Sequence, residues 1–96
     1  MNITIKKMNE TTFKVTVWDE TTTSHLVTVF PEYWQKLTGG TVSPEKLVEQ
    51  SFQFLLKHEP NTSILRAFDL PKIQGYFPEY EKTIRTMLSD PSSPNR

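Results

Sequence analysis

From Ser43 to His58 the chain reads Ser-Pro-Glu-Lys-Leu-Val-Glu-Gln-Ser-Phe-Gln-Phe-Leu-Leu-Lys-His, and that run leaves little choice of conformation. Ser43 suits an N-cap, because its hydroxyl takes one of the backbone N–H groups that the first turn leaves unpaired. Pro44 at the first helical position lacks only an N–H that the helix does not use, and Glu45 favours the positive helix end. At 100° per residue, Leu47, Val48, Ser51, Phe52, Phe54, Leu55 and Leu56 spread over an arc of about 200°. Lys46, Glu49, Gln50, Gln53 and Lys57 fill the remaining arc, and Pro60 stops the helix near His58. An apolar arc this wide implies a helix over 44–58 that is covered by two layers rather than one.

Upstream of it the period is two. Ile3 and Ile5 alternate with Asn2, Thr4 and Lys6, and Phe13, Val15 and Val17 alternate with Lys14, Thr16 and Trp18. That is the pattern of half-buried strands. A third run, His25 to Phe30, is apolar on both faces, with Val27 and Val29 on one and Leu26 and Phe30 on the other. The connections, Lys7 to Thr11 and Asp19 to Thr23, are too short for parallel crossovers. They imply a three-stranded antiparallel β-meander over residues 2–30.

The other helical pieces are shorter. Pro31 to Leu37 reads as one or two turns, opened by Pro31 and stopped at Gly39-Gly40. After Asn61, the i, i+1, i+4 cluster of Ile64, Leu65 and Phe68 fits a short helix. Asp69 caps a further turn carrying Leu70, Ile73 and Phe77, which Gly75 weakens. Pro78 opens a last helix with Tyr80, Ile84, Met87 and Leu88 on one face, and Glu81 and Arg85 as an i, i+4 pair on the other. Residues 89–96 have nothing to bury and read as a disordered tail. The expectation is one α+β domain over 1–88: the meander, a short helix, the long amphipathic helix and C-terminal helical segments. Phe30-Pro31-Glu32-Tyr33 recurs as Phe77-Pro78-Glu79-Tyr80, and both copies read as helix starts rather than as a duplicated docking motif.

Chemistry is thinly represented. The chain has no cysteine and only two histidines, His25 and His58, with no spacing that assembles a zinc site. Neither a GxSxG elbow nor a phosphate-binding glycine loop is present. No catalytic, cofactor-binding or metal-binding residue is therefore assigned, no cofactor is expected, and an enzyme is disfavoured. Eleven Lys+Arg balance eleven Asp+Glu, which removes the electrostatic case for nucleic acid. Lys6, Lys7 and Lys14 make only a thin basic patch beside Glu10, Asp19 and Glu20. The longest apolar run, Phe54-Leu55-Leu56, is far short of a membrane span, and Met1 to Lys6 shows no secretory pattern. Asn61-Thr62-Ser63 matches a glycosylation acceptor that nothing else supports. The setting expected is cytoplasmic.

Surface geometry carries what remains. With Phe13, Val15 and Val17 facing the helices, Lys14, Thr16 and Trp18 face away, next to Thr28 on the neighbouring strand. Lys14, Thr16, Trp18 and Thr28 form the candidate interaction surface, with Trp18 as its anchor. Open strand edges add templates for pairing. The reading is a small protein-interaction or regulatory module that self-associates through its sheet, as a homodimer or with another protein.

Ser43-Pro44-Glu45-Lys46-Leu47 through Ser51-Phe52-Gln53-Phe54-Leu55-Leu56, then Ser63-Ile64-Leu65-Arg66-Ala67-Phe68-Asp69-Leu70 and Tyr76-Phe77-Pro78-Glu79-Tyr80, resemble a group of small uncharacterised bacterial proteins. The resemblance spans most of residues 1–88 and implies a bacterial, cytosolic setting, with no activity attached. A looser likeness, by fold analogy alone, is to HicB-type antitoxins, which also place an antiparallel sheet before a helix. It implies an antitoxin-like partner as the alternative function. The Pro-Asp-Leu-Pro-Gly-Cys stretch typical of that group is absent here, and no DNA-binding C-terminal motif is evident.

Overall fold

Alternation in the first thirty residues builds three strands, β1 (Asn2–Lys7), β2 (Thr12–Trp18) and β3 (Thr23–Thr28), in the computed structural model, which describes residues 2–89. They pair antiparallel in order, Ile3 against Val17 and Val15 against His25. Phe13, Val15, Val17 and Val27 are completely buried beneath the helices. The other face of the sheet carries Thr4, Lys6, Lys14, Thr16, Trp18, Ser24, Leu26 and Thr28. The expected α+β architecture holds.

α1 (Pro31–Thr38) begins at Pro31 and ends in Gly39, whose φ of 65° is the left-handed cap that glycine supplies without steric cost. The Gly39 N–H returns to the Gln35 carbonyl at 2.8 Å. α2 (Pro44–Leu56) starts as its sequence dictates: the Ser43 hydroxyl accepts the Lys46 N–H at 3.1 Å, and Pro44 follows. Replacing Ser43 with Ala is expected to lower stability by about 1 kcal/mol, read as a shifted denaturant midpoint at constant slope. The helix stops at Leu56 rather than His58, because Lys57 closes the last turn onto Phe54 and Leu55 carbonyls. Its buried residues are Leu47, Val48, Ser51, Phe52, Phe54 and Leu55, and it packs on β1 to one side and on the C-terminal helix to the other. The two-layer environment implied by its wide apolar arc is present.

The chain beyond α2 departs from expectation. Ile64, Leu65 and Phe68 do not form a helix. A single 3₁₀ turn (Asn61–Ser63) leads into extended chain and a fourth strand, β4 (Ala67–Asp69), which pairs parallel to β3. The meander is thus three strands of a four-stranded mixed sheet in the order β1-β2-β3-β4. The cause is long-range. The Leu26 N–H donates to the Arg66 carbonyl at 2.8 Å and the Leu70 N–H to the Thr28 carbonyl at 2.9 Å. A three-residue segment has no periodicity of its own to compete with such partners.

α3 (Lys72–Tyr76) is a single turn that runs through Gly75, and α4 (Tyr80–Ser89) closes the described chain. Pro78 and Glu79 form a turn ahead of α4 instead of its first residues. Ser89 belongs to α4 rather than to a tail, and residues 90–96 lie outside the described chain. Tyr80 is fully buried, and its hydroxyl bonds to Ser51 Oγ at 2.6 Å. Because the Ser51 hydroxyl already donates to the Leu47 carbonyl, Tyr80 is the donor. Burial pushes the Tyr80 phenol well above its ordinary range, so it stays a donor at any physiological pH.

Candidate functional site

The sheet face opposite the helices collects all four residues that the sequence singled out. Lys14 lies between Lys6 and Leu26, Thr16 between Thr4 and Ser24, and Thr28 between Thr12 and Asp69. Trp18 lies opposite Asn2, is 51% exposed, and reaches across β1 to donate from Nε1 to Thr4 Oγ1 at 3.3 Å. The large apolar strand residues on this side, Trp18 and Leu26, are both about half exposed. Leu26 pairs with Lys14, four residues from Trp18 and about 13 Å away at strand rise, with hydroxyls and a lysine between them. The face is therefore wet, with separated anchors and no continuous apolar patch.

The edges differ from the face. The Met8 N–H donates to the Thr12 carbonyl at 2.8 Å, on the register that pairs Lys7 with Phe13 and Asn2 with Trp18. In an antiparallel ladder this phase assigns the even-numbered residues of β1 to β2. Ile3, Ile5 and Lys7 then turn their N–H and C=O groups to open solvent. Their side chains face the helix layer, yet Ile3 and Ile5 are only half-buried, unlike the fully buried Val15 and Val17 beside them. At the opposite edge the same reasoning applies to β4. Arg66 and Leu70 bond to β3, so Ala67 and Asp69 present their backbone groups outward.

Beside β4 lies a feature that sequence reasoning missed: a cleft of about 240 Å³ lined by the end of α2, the approach to β4, and α3. Leu55, Ile64, Phe68, Ile73 and Phe77 make its floor and sides. Leu65 and Tyr76 stand on its rim, 44% and 62% exposed, and Glu59 and Lys72 also line it. Its residues come from α2, α3 and the segment leading into β4, and the last of these is extended where its sequence fits a helix. The only signal available was the surplus of apolar groups in Ile64-Leu65 and Tyr76-Phe77.

Neither histidine is arranged for chemistry. His25 is completely enclosed: Nδ1 lies 2.7 Å from the Leu65 carbonyl and Nε2 lies 2.9 Å from Thr23 Oγ1. A carbonyl only accepts, so Nδ1 carries the proton and Nε2 accepts from the Thr23 hydroxyl. Thr23 Oγ1 in turn accepts from Asn61 Nδ2 at 2.9 Å, and Asn61 also donates to the Thr21 carbonyl. Desolvation by burial holds His25 below its ordinary pKa of 6.5, and Arg66 adds repulsion, against the opposing pull of the Leu65 carbonyl. The network ties the approach to β4 onto β3. It also encloses Asn61, so in the folded chain this asparagine is unavailable as a glycosylation acceptor.

His58 stacks on Phe77 with centroids 4.8 Å apart, with Glu79 at 4.0 Å from its Nε2. Among the described residues, no three His, Cys, Asp or Glu side chains cluster as metal ligands, and no helix is long and apolar enough to cross a membrane. The repeated Phe-Pro-Glu-Tyr segments lead into α1 and α4, and the two helices meet where the Tyr33 hydroxyl donates to Glu81 Oε2 at 2.9 Å. With Tyr80 in the core, the second copy is a packing element. No family model, no curated protein and no solved structure matches this chain.

Proposed function

We propose that this chain is a small protein-interaction module that self-associates through its sheet, β1 pairing with β1 of a second copy. The observation that carries the reading is the β1 edge, where unpaired backbone groups coincide with apolar side chains left half-covered by their own helices. Unpaired edge groups are a template for another strand, and Lys6 and Lys7 at the end of β1 restrict how that strand can pair.

The charges on β1 select the geometry. Parallel pairing in register stacks Lys6 on Lys6 and Lys7 on Lys7 of the other copy, which is repulsive. Antiparallel pairing centred on Thr4 sets Ile3 against Ile5 and Asn2 against Lys6, with no lysines opposed. The odd-numbered residues then exchange the hydrogen bonds, and the two Thr4 side chains face each other in a non-hydrogen-bonded pair, where Cα atoms approach to about 4.5 Å. Trp18, laid over Thr4, borders the seam on the open face. The face carrying Lys14, Thr16 and Thr28 becomes continuous across two copies and remains accessible.

Sedimentation velocity over a dilution series tests the pairing. The parent is expected to show a reversible species of twice the chain mass. Thr4→Lys places two ammonium groups face to face on an exposed position, and is expected to leave only monomer that is folded by its circular-dichroism spectrum. A parent that stays monomeric at every concentration overturns the proposal.

A further inference from the structure

The second sheet edge has a different design, and we infer that the cleft beside β4 is a docking site for an extended peptide segment of a partner protein, anchored by one bulky apolar side chain. Two independent features converge there. Ala67 and Asp69 turn two N–H and two C=O groups away from β3, enough to receive about three residues of added strand. Phe68 of the same strand, with Leu65 just before it, lines the apolar cleft between α2 and α3, and the rim residues Leu65 and Tyr76 are exposed.

Size and charge narrow the occupant. At about 240 Å³ the cleft lies below the roughly 300–1,000 Å³ of small-molecule and cofactor sites, which fits a single anchoring side chain. Glu59 and Lys72 line it with opposite charges, and neither forms an ion pair among the described residues. A segment with one basic and one acidic residue flanking its anchor satisfies both. A second copy of this chain offering β1 to the β4 edge would make a head-to-tail contact, which propagates beyond a dimer into rings or open arrays. This inference goes beyond self-association: the two edges are at opposite ends of the sheet, so a dimer seam at β1 leaves the cleft free.

The test is a titration followed by amide NMR. The probes are two blocked heptapeptides of alternating Thr and Val with Leu at the centre, one carrying Lys then Glu around the Leu and the other Glu then Lys. The expected result is saturable shifts of the Leu65, Ala67, Asp69 and Tyr76 amides with one of the two orders. Ala67→Pro removes an N–H that faces solvent and leaves the bonds to β3 intact, so it is expected to abolish binding while the spectrum stays folded. Tyr76→Ala is expected to weaken binding about tenfold. Thr4→Lys is expected to bind like the parent, which separates this site from the pairing at β1. The inference is overturned if neither peptide saturates, if shifts map to β1 instead, if Ala67→Pro or Tyr76→Ala binds like the parent, or if the protein without peptide assembles beyond the dimer.

Discussion

Phe52→Ala is expected to destabilise the domain by about 3–5 kcal/mol, the range for truncating a buried aromatic. Few positions in this fold join as many parts. Phe52 is fully buried on α2, its ring lies 5.3 Å from His25 on β3, and it lies 6.1 Å from Phe68 on β4. The lost ring therefore leaves a void under the central strand and removes the apolar backing of the short parallel one. Against a total stability of about 5–15 kcal/mol, this threatens the fold itself. Leu55→Ala, equally on the buried side of α2, is expected to cost about 2–5 kcal/mol. Leu56→Ala, at a half-buried position, is expected to fall below both. Thermal and denaturant melts rank the three, each kcal/mol moving the midpoint by about 4–8 °C in a domain of this size. Parent-like melting of Phe52→Ala would show that α2 does not carry the core.

His25 carries the second large effect, and it has a signature in pH. In the folded chain the imidazole is neutral, donating from Nδ1 to the Leu65 carbonyl and accepting at Nε2 from Thr23. Its pKa there lies below the 6.5 of the unfolded chain. As pH falls through 6.5 the unfolded state takes up a proton that the folded state refuses, so stability drops until the folded value is reached and is constant beneath it. Above 6.5 the contribution is fully present. His25→Leu fills the position but strands the Leu65 carbonyl and takes the acceptor from the Thr23 hydroxyl, and is expected to cost about 1–3 kcal/mol at neutral pH. The same variant is expected to lose the His25 share of the decline that sets in as pH is lowered from 7 through 6.5. Equilibrium unfolding of parent and variant across that interval measures both terms. An identical pH slope in the two proteins would place the proton elsewhere.

How much of this was legible in the sequence depends on how far each element's determinants lie along the chain. The start of α2 is written in four adjacent residues, and Ser43, Pro44, Glu45 and Lys46 behave as local capping chemistry requires. β2 is equally local: Phe13, Val15 and Val17 are buried, and Lys14 and Trp18 are exposed. β4 has no such signature. Its three residues become a strand because Leu26 and Thr28, some forty positions earlier, offer backbone partners, and Ile64-Leu65-Phe68 fits a helical turn as well as an extended approach. Lys14, Thr16, Trp18 and Thr28 share one face of the sheet because strand alternation alone places them there. The cleft was not legible in this way, because it exists only once β4 is known.

The forty-residue span between the partners Leu26 and Ala67 has a kinetic corollary. Hairpin contacts among β1, β2 and β3 close over short loops, whereas the parallel ladder must wait for a large loop to be drawn shut, the slow class of event in folding. A ladder of three residues, tied by backbone bonds at Leu26 and Leu70 and backed by Phe52, is also expected to exchange its amides with solvent more readily than the ladders among β1, β2 and β3. The cleft is thereby a late-maturing feature, present only on chains that have finished folding, and any partner that seats there reads completion of the fold as well as the shape of the surface.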